Sequence, residues 1–346
     1  MKRTLRTIGG ILLALILFTA ALYAATRLFM PKYRETAVEG SLTAEYYREE
    51  TPHDVVFIGD CEVFSNFSPV TLWEEYGVAS CIRGSAQQLV WQSYCLLEDV
   101  LETETPRAVV FNVLALKYGE PQSEAYNRMT IDGMRWGKAK IDAIRSSMTE
   151  EEEAISYVFP LLRFHTRWSE LNGEDLRYWF RRGEPVSFKG YLMRTEVRPA
   201  TETPLPPVLT DARLPETSMA WLDRLAALCK DKGIALILIK SPSIEPYWYP
   251  EWDADVRTFA AEHGLSYHNM IAENDAIGID MQTDTCDMGQ HLNVYGAEKL
   301  SRWFGQVLKT ECDLPDRRGQ AQFDADYRAL CERYAAEKEK RLKDGD

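Results

Sequence analysis

Short apolar runs alternate along this chain with longer stretches in which apolar residues recur every three or four positions. The runs at 54–58, 78–82, 108–114, 234–240 and 265–269 read as buried strands. Between them, Ser85 to Glu104 carries Leu89, Tyr94, Leu97 and Leu101 at helical spacing, and Thr217 to Lys232 carries Met219, Leu222, Leu225 and Leu228. Val294 to Leu308 predicts a third helix, with Leu300, Phe304 and Leu308 toward the sheet and Lys299 and Arg302 toward solvent. Strand and helix in alternation predict an α/β fold, a central parallel sheet with helices on both faces.

The rhythm stops between about 119 and 215, a stretch without a convincing strand that ends in Thr203-Pro204-Leu205-Pro206-Pro207 and reads as an insertion. Within it, Thr149 and Glu152 have capping-box spacing, so the glutamates at 150–153 read as the solvated first turn of a helix rather than a metal site. The tail 316–346 carries Phe323, Tyr327, Leu330 and Tyr334 at helical spacing, which predicts a charged helix packed on the surface.

The N-terminus follows another pattern. Ile8 to Met30 is apolar except for Thr19, Thr26 and Arg27, behind Lys2, Arg3 and Arg6. Roughly 20 apolar residues span a bilayer, whereas the core of a secretory signal is about 7–15 residues long. An uncleaved transmembrane helix within 1–34 is therefore expected, with the remainder outside the cytoplasm. A cleaved signal is the competing reading, since Ala20 to Ala25 imitates a small-residue cleavage site.

Composition narrows the picture. An apolar content of 45% supports a real core, with 35–315 as the main domain. A net charge of −13 without a basic patch argues against nucleic acid as a partner. The seven cysteines form no tight spacing motif, and no pattern for a metal or cofactor stands out.

The chemistry concentrates in two blocks. Val55-Val56-Phe57-Ile58-Gly59-Asp60-Cys61-Glu62 reads as a strand that stops at a small residue, an acid and a nucleophile. In open parallel sheets the ligand crevice lies outside the carboxyl ends of the strands, which puts Cys61 in the right place. Asp284-Thr285-Cys286-Asp287-Met288-Gly289-Gln290-His291-Leu292-Asn293 offers an imidazole and carboxylates to orient it. The other histidines, His53, His165, His263 and His268, read as satisfied loop or core residues.

Together these blocks resemble the SGNH (GDSL-like) hydrolase and acyltransferase superfamily, over most of residues 50–310. The resemblance implies a three-layer, flavodoxin-like fold with Cys61 in the place of the family's serine. It makes His291 the base, with Asp287 or Asp284 to orient it, although Asp287 lies four residues before the histidine where the family has three. Gly84 and Asn112 match the family's oxyanion donors, Asn112 without the usual glycine and aspartate around it. The aromatic run 245–252 offers a wall for a sugar-binding cleft. With the anchor, the resemblance points to proteins that move or remove an acyl group on a cell-envelope glycan or polymer, beside a multi-span membrane O-acyltransferase. Cysteine for serine leaves two readings: a thiol nucleophile, or an inactive accessory or polymer-binding protein that keeps the fold.

Overall fold

The computed structural model describes residues 2–30, 41–173, 175–176, 185–200, 205–209, 211–245 and 247–344. Thr203 and Pro204 of the proline-rich run and residues 31–34 of the N-terminal segment lie outside them.

Five parallel strands, β1 (Val55–Gly59), β2 (Ser80–Gly84), β3 (Ala108–Asn112), β4 (Ala235–Lys240) and β5 (Ser266–Asn269), pair in the order β2-β1-β3-β4-β5. This is the flavodoxin-like order, whose switch point falls between β1 and β3. Each run expected to be a strand forms one. They read as continuous apolar runs because both faces are covered. Val55 and Phe57 point into one layer with Phe304 and Leu300, while Val56 and Ile58 point into the other with Leu97, Leu222 and Val256. The Val294–Glu311 helix packs on the first face, and Val90–Leu101, Glu216–Lys232 and Pro250–His263 pack on the second.

The insertion supplies helices Glu124–Ile131, Lys138–Ser147, Ala154–Val158 and Leu161–Phe164, and no sheet strand among its described residues. Its glutamate run departs from expectation. The helix begins only at Ala154, and Glu152 is buried, accepting from the Asn127 amide at 2.8 Å and the Tyr157 hydroxyl at 2.6 Å. The Thr149 N–H does donate to Glu152, at 3.1 Å, so the capping pair forms but closes a buried polar cluster. The returning segment 186–193 lies along β2, whose Ile82 N–H donates to the Lys189 carbonyl at 2.9 Å. That contact covers an otherwise open sheet edge.

The tail helix, Ala321–Asp344, is less superficial than its charge suggests. Phe323, Tyr327, Leu330 and Tyr334 are all buried in the first core layer. The Tyr327 ring stacks on Trp73 with centroids 4.0 Å apart, and its hydroxyl accepts the Ser80 N–H at 3.0 Å. Arg317 locks the approach with hydrogen bonds of 2.7 and 2.8 Å to buried Asp54. Tyr327→Ala is expected to lower stability by about 3–5 kcal/mol, the usual cost of removing a buried aromatic ring. Tyr327→Phe should cost about 1–3 kcal/mol, because it strands the buried Ser80 N–H at the end of β2. Urea unfolding midpoints at constant slope measure both, and an alanine variant as stable as the parent would show the helix to be dispensable to the core.

Candidate active site

Cys61 opens a short helix, Cys61–Asn66, at the carboxyl end of β1, next to the switch point. Two glycines make the approach possible. Gly59 has φ +155°, and a Cβ there would stand 2.9 Å from the Asn112 Cβ. A Cβ on Gly84, its neighbour in β2, would stand 2.6 Å from a Val63 methyl and 3.2 Å from the Gly59 carbonyl. Gly84 thus lets β2 close on the strand that leads into Cys61. Asp60 caps the helix by accepting the Glu62 N–H at 3.2 Å.

His291 and the Cys61 thiol border the same cavity, and each shifts the other's protonation. His291 Nδ1 lies 2.5 Å from Asp287 Oδ2, and its backbone N–H donates to Asp287 Oδ1 at 2.7 Å. The four-residue spacing is absorbed by a left-handed turn, Met288 at φ +63° and Gly289 at φ +96°, with no room for a side chain at 289 against Ile244. Thr285 Oγ1 accepts the Gly289 N–H at 2.7 Å. Asp284, the other candidate orienter, is not part of this contact. Its carboxylate accepts from Lys299 at 2.6 Å and from the Asp280 N–H at 2.9 Å, which holds the base of the loop instead.

The insertion also holds the histidine loop, a contact not foreseen from the sequence. The N–H groups of Arg198 and Ala200 donate to the Thr285 and Met281 carbonyls at 3.0 Å each, and those of Met288 and Val294 donate back to the Arg198 and Arg194 carbonyls at 3.0 and 2.7 Å. Asn66, from the Cys61 helix, accepts the Leu292 N–H at 2.8 Å.

Beneath Cys61 lies a buried polar cluster. Lys240, fully buried at the end of β4, donates to both oxygens of Glu62 at 2.8 and 3.1 Å, to the Ser241 carbonyl at 2.6 Å and to Ser243 Oγ at 2.9 Å. Asn112 completes it. Its amide nitrogen donates to Asp60 at 2.9 Å and Glu62 at 2.8 Å, while its oxygen accepts the Ser241 N–H at 3.2 Å. Both amide hydrogens are thus spent on carboxylates, so Asn112 supports the loop that carries Cys61 and does not present a free donor to the cavity.

That cavity, about 160 Å3, is bordered by Asp60, Cys61, Glu62, Gln87, Leu114, Lys117, Tyr118, Glu245, Gln290 and His291. Gln87 stands at φ +50°, a backbone conformation rare outside glycine. Among the described residues of the aromatic run, only Glu245 borders the cavity. Trp248 and Trp252 are buried in the second core layer, so that run packs the fold and does not wall this site.

Electrostatics set the protonation. Burial pushes Asp60 up to about 6, with neighbouring Glu62 adding to it and Lys117 and Asn112 opposing. Burial also raises the Cys61 thiol, then Asp60, against the lowering pull of His291. Burial works against protonated His291, but the Asp287 carboxylate and the Cys61 sulfur outweigh it and raise the imidazole. Lys117 is lowered by burial, with the acidic groups around the cavity offsetting part of it. Thiol and imidazole are thus both raised into the alkaline range, where a proton can pass between them.

All seven cysteines are free thiols. Buried His53 and Cys81 meet half-buried Glu104, which brings three metal-ligating side chains together, with His53 Nδ1 2.9 Å from Glu104.

No protein-family model matches the chain, and no curated protein does. A solved Bacteroides fragilis protein named as a candidate acylhydrolase is 13% identical, with a TM-score of 0.38, covering 78% of this chain and 94% of its own. A GDSL-like lipase from Bacteroides thetaiotaomicron is 12% identical, also at 0.38, covering 80% of this chain and 98% of its own.

Proposed function

We propose that the chain is a membrane-anchored acyl-ester hydrolase or O-acyltransferase that works outside the cytoplasm on an acylated cell-envelope glycan or polymer, with Cys61 as nucleophile. The observation that carries this reading is the gathering of Cys61, His291 and Asp287 at the end of β1, thiol and imidazole on one cavity and the carboxylate on the imidazole Nδ1. His291 takes the thiol proton as sulfur attacks the acyl carbonyl, and Asp287 holds the imidazole and stabilises its cationic form. The acyl group passes to sulfur, His291 returns the proton to the departing alcohol, and water or an acceptor hydroxyl then releases the acyl group.

The resemblance makes Gly84 and Asn112 the oxyanion donors. With Asn112 committed to Asp60 and Glu62, the developing charge instead meets the Cys61 N–H, which has no intrahelical acceptor at the first helical position, and the Lys117 ammonium at the cavity wall. The anchor favours surface polymers as acceptors and a multi-span membrane O-acyltransferase as the source of the acyl group. A second reading, a non-catalytic accessory or polymer-binding protein, is favoured by the burial and the two carboxylates that push the thiol upward.

Intact-mass spectrometry after exposure to a short-chain acyl ester or thioester separates the two. The wild type should carry one acyl adduct, Cys61→Ala none, and Cys61→Ser should keep or raise ester hydrolysis. A wild type and a serine variant with neither turnover nor adduct would leave the accessory reading in place.

A further inference from the structure

The N-terminal helix, Lys2–Phe29, is long and apolar enough to cross a membrane, and its surroundings change abruptly along its length. Leu5 to Ala21 are exposed, whereas Ala24 to Met30 are half-covered by the domain. At 1.5 Å per residue the exposed stretch measures about 26 Å, close to the roughly 30 Å of a hydrocarbon core. Whatever grips the helix beyond Ala21 therefore sits at headgroup level.

The grip comes from the insertion. Leu161–Phe164 and the 3-10 turn His165–Ser169 pack against the N-terminal helix, and Arg167 donates to the Phe29 carbonyl at 2.5 Å. Helix Ala154–Val158 packs against Leu161–Phe164. These same elements expose Ile155, Val158, Phe159, Leu162 and Trp168, the last 71% accessible. A soluble surface rarely concentrates so much large apolar area in one short stretch, and such patches mark contact surfaces. Tryptophan with apolar neighbours beside a membrane span is the composition of a headgroup boundary.

We propose that this face of the insertion rests in the outer leaflet of the bilayer, its apolar side chains sunk into the boundary between headgroups and acyl chains. The occupant is lipid, because the face is continuous with the one helix among the described residues that is long and apolar enough to cross a bilayer, and is held there by direct contact with its outer end. The inference rests on the anchor reading. It adds a second point of attachment, which fixes the domain's tilt over the membrane where a single helix would leave it free to swivel.

The test uses the full chain in phosphatidylcholine nanodiscs, with and without bromine on the acyl chains. The Trp168 emission, taken as wild type minus Trp168→Phe, should be lost to bromolipid quenching and little affected by acrylamide. Leu162→Asp combined with Val158→Asp should reverse that preference. Emission quenched only by acrylamide would place Trp168 in water, and emission quenched by neither would mean a protein covers it; each overturns the proposal. Extraction of the chain from membranes by alkaline carbonate would overturn the anchor, and this face with it. A chain that stays in the membrane with Trp168 unquenched overturns the face alone.

Discussion

Replacing Lys240 by methionine is expected to cost about 3–5 kcal/mol, the usual penalty for removing one partner of a buried ion pair. Lys240 and Glu62 are both essentially inaccessible to water, and the ammonium makes four of the contacts that hold the cluster together. Without it, Glu62 keeps only Ser243 Oγ at 2.7 Å and the Asn112 amide, too little to solvate a carboxylate out of water. The double variant Glu62→Leu, Lys240→Met should recover most of the loss, since apolar replacement of a whole buried pair is often neutral or stabilising. Urea midpoints at constant slope measure both. Equal losses in single and double variants would show that the pair acts through packing and not charge. The same variants read function separately: a stable double variant slow at Cys61 would assign the cluster to holding the nucleophile's loop.

The second large effect is on thiol reactivity. Iodoacetamide should modify Cys61 first among the seven cysteines, five of which are buried, while Cys331 is pushed up to about 12 by burial and Glu74. His291→Ala should slow that modification by about 10²-fold or more at neutral pH, within the 10²- to 10⁴-fold typical of general-base help. The sign of the pH dependence follows from the thiol's environment. Because burial and Asp60 raise it above its ordinary value, wild-type reactivity should keep climbing through the alkaline range instead of levelling off near 8.5. Removing His291 removes a lowering influence, so the variant's curve should lie at still higher pH. Asp287→Asn should give an intermediate rate. Labelling rates read by peptide mapping decide it, and a His291→Ala variant as fast as wild type would dissolve the pairing of thiol and imidazole.

Much of this arrangement was legible in the chain. The five strands follow from apolar runs long enough to cross a sheet and too short to be helices, and a strand ending in Gly-Asp-Cys places the thiol at the switch point. The Asp287–His291 contact was also within reach, since four residues with a glycine between can form a closed turn. The other half of the site was not, because its partners are far apart in sequence. Nothing near Lys240 says that it will meet Glu62, 178 residues earlier. Backbone bonds from Arg198 and Ala200 to the histidine loop leave no side-chain pattern to read. Periodicity fails in a different way at Tyr327: it names the face of a helix but not the depth to which that face sinks. Asn112 illustrates the limit of a motif, which fixes where a residue stands and leaves open where its hydrogen bonds go.

The depth of the last helix bears on timing. A chain made from its N-terminus completes all five strands while the first core layer still lacks the residues from 321 onward that close it. Strands β1 and β2 must wait, with Trp73 and the Ser80 N–H uncovered, until the Ala321–Asp344 helix has emerged. Such a layer closes only once the helix from 321 onward has been made.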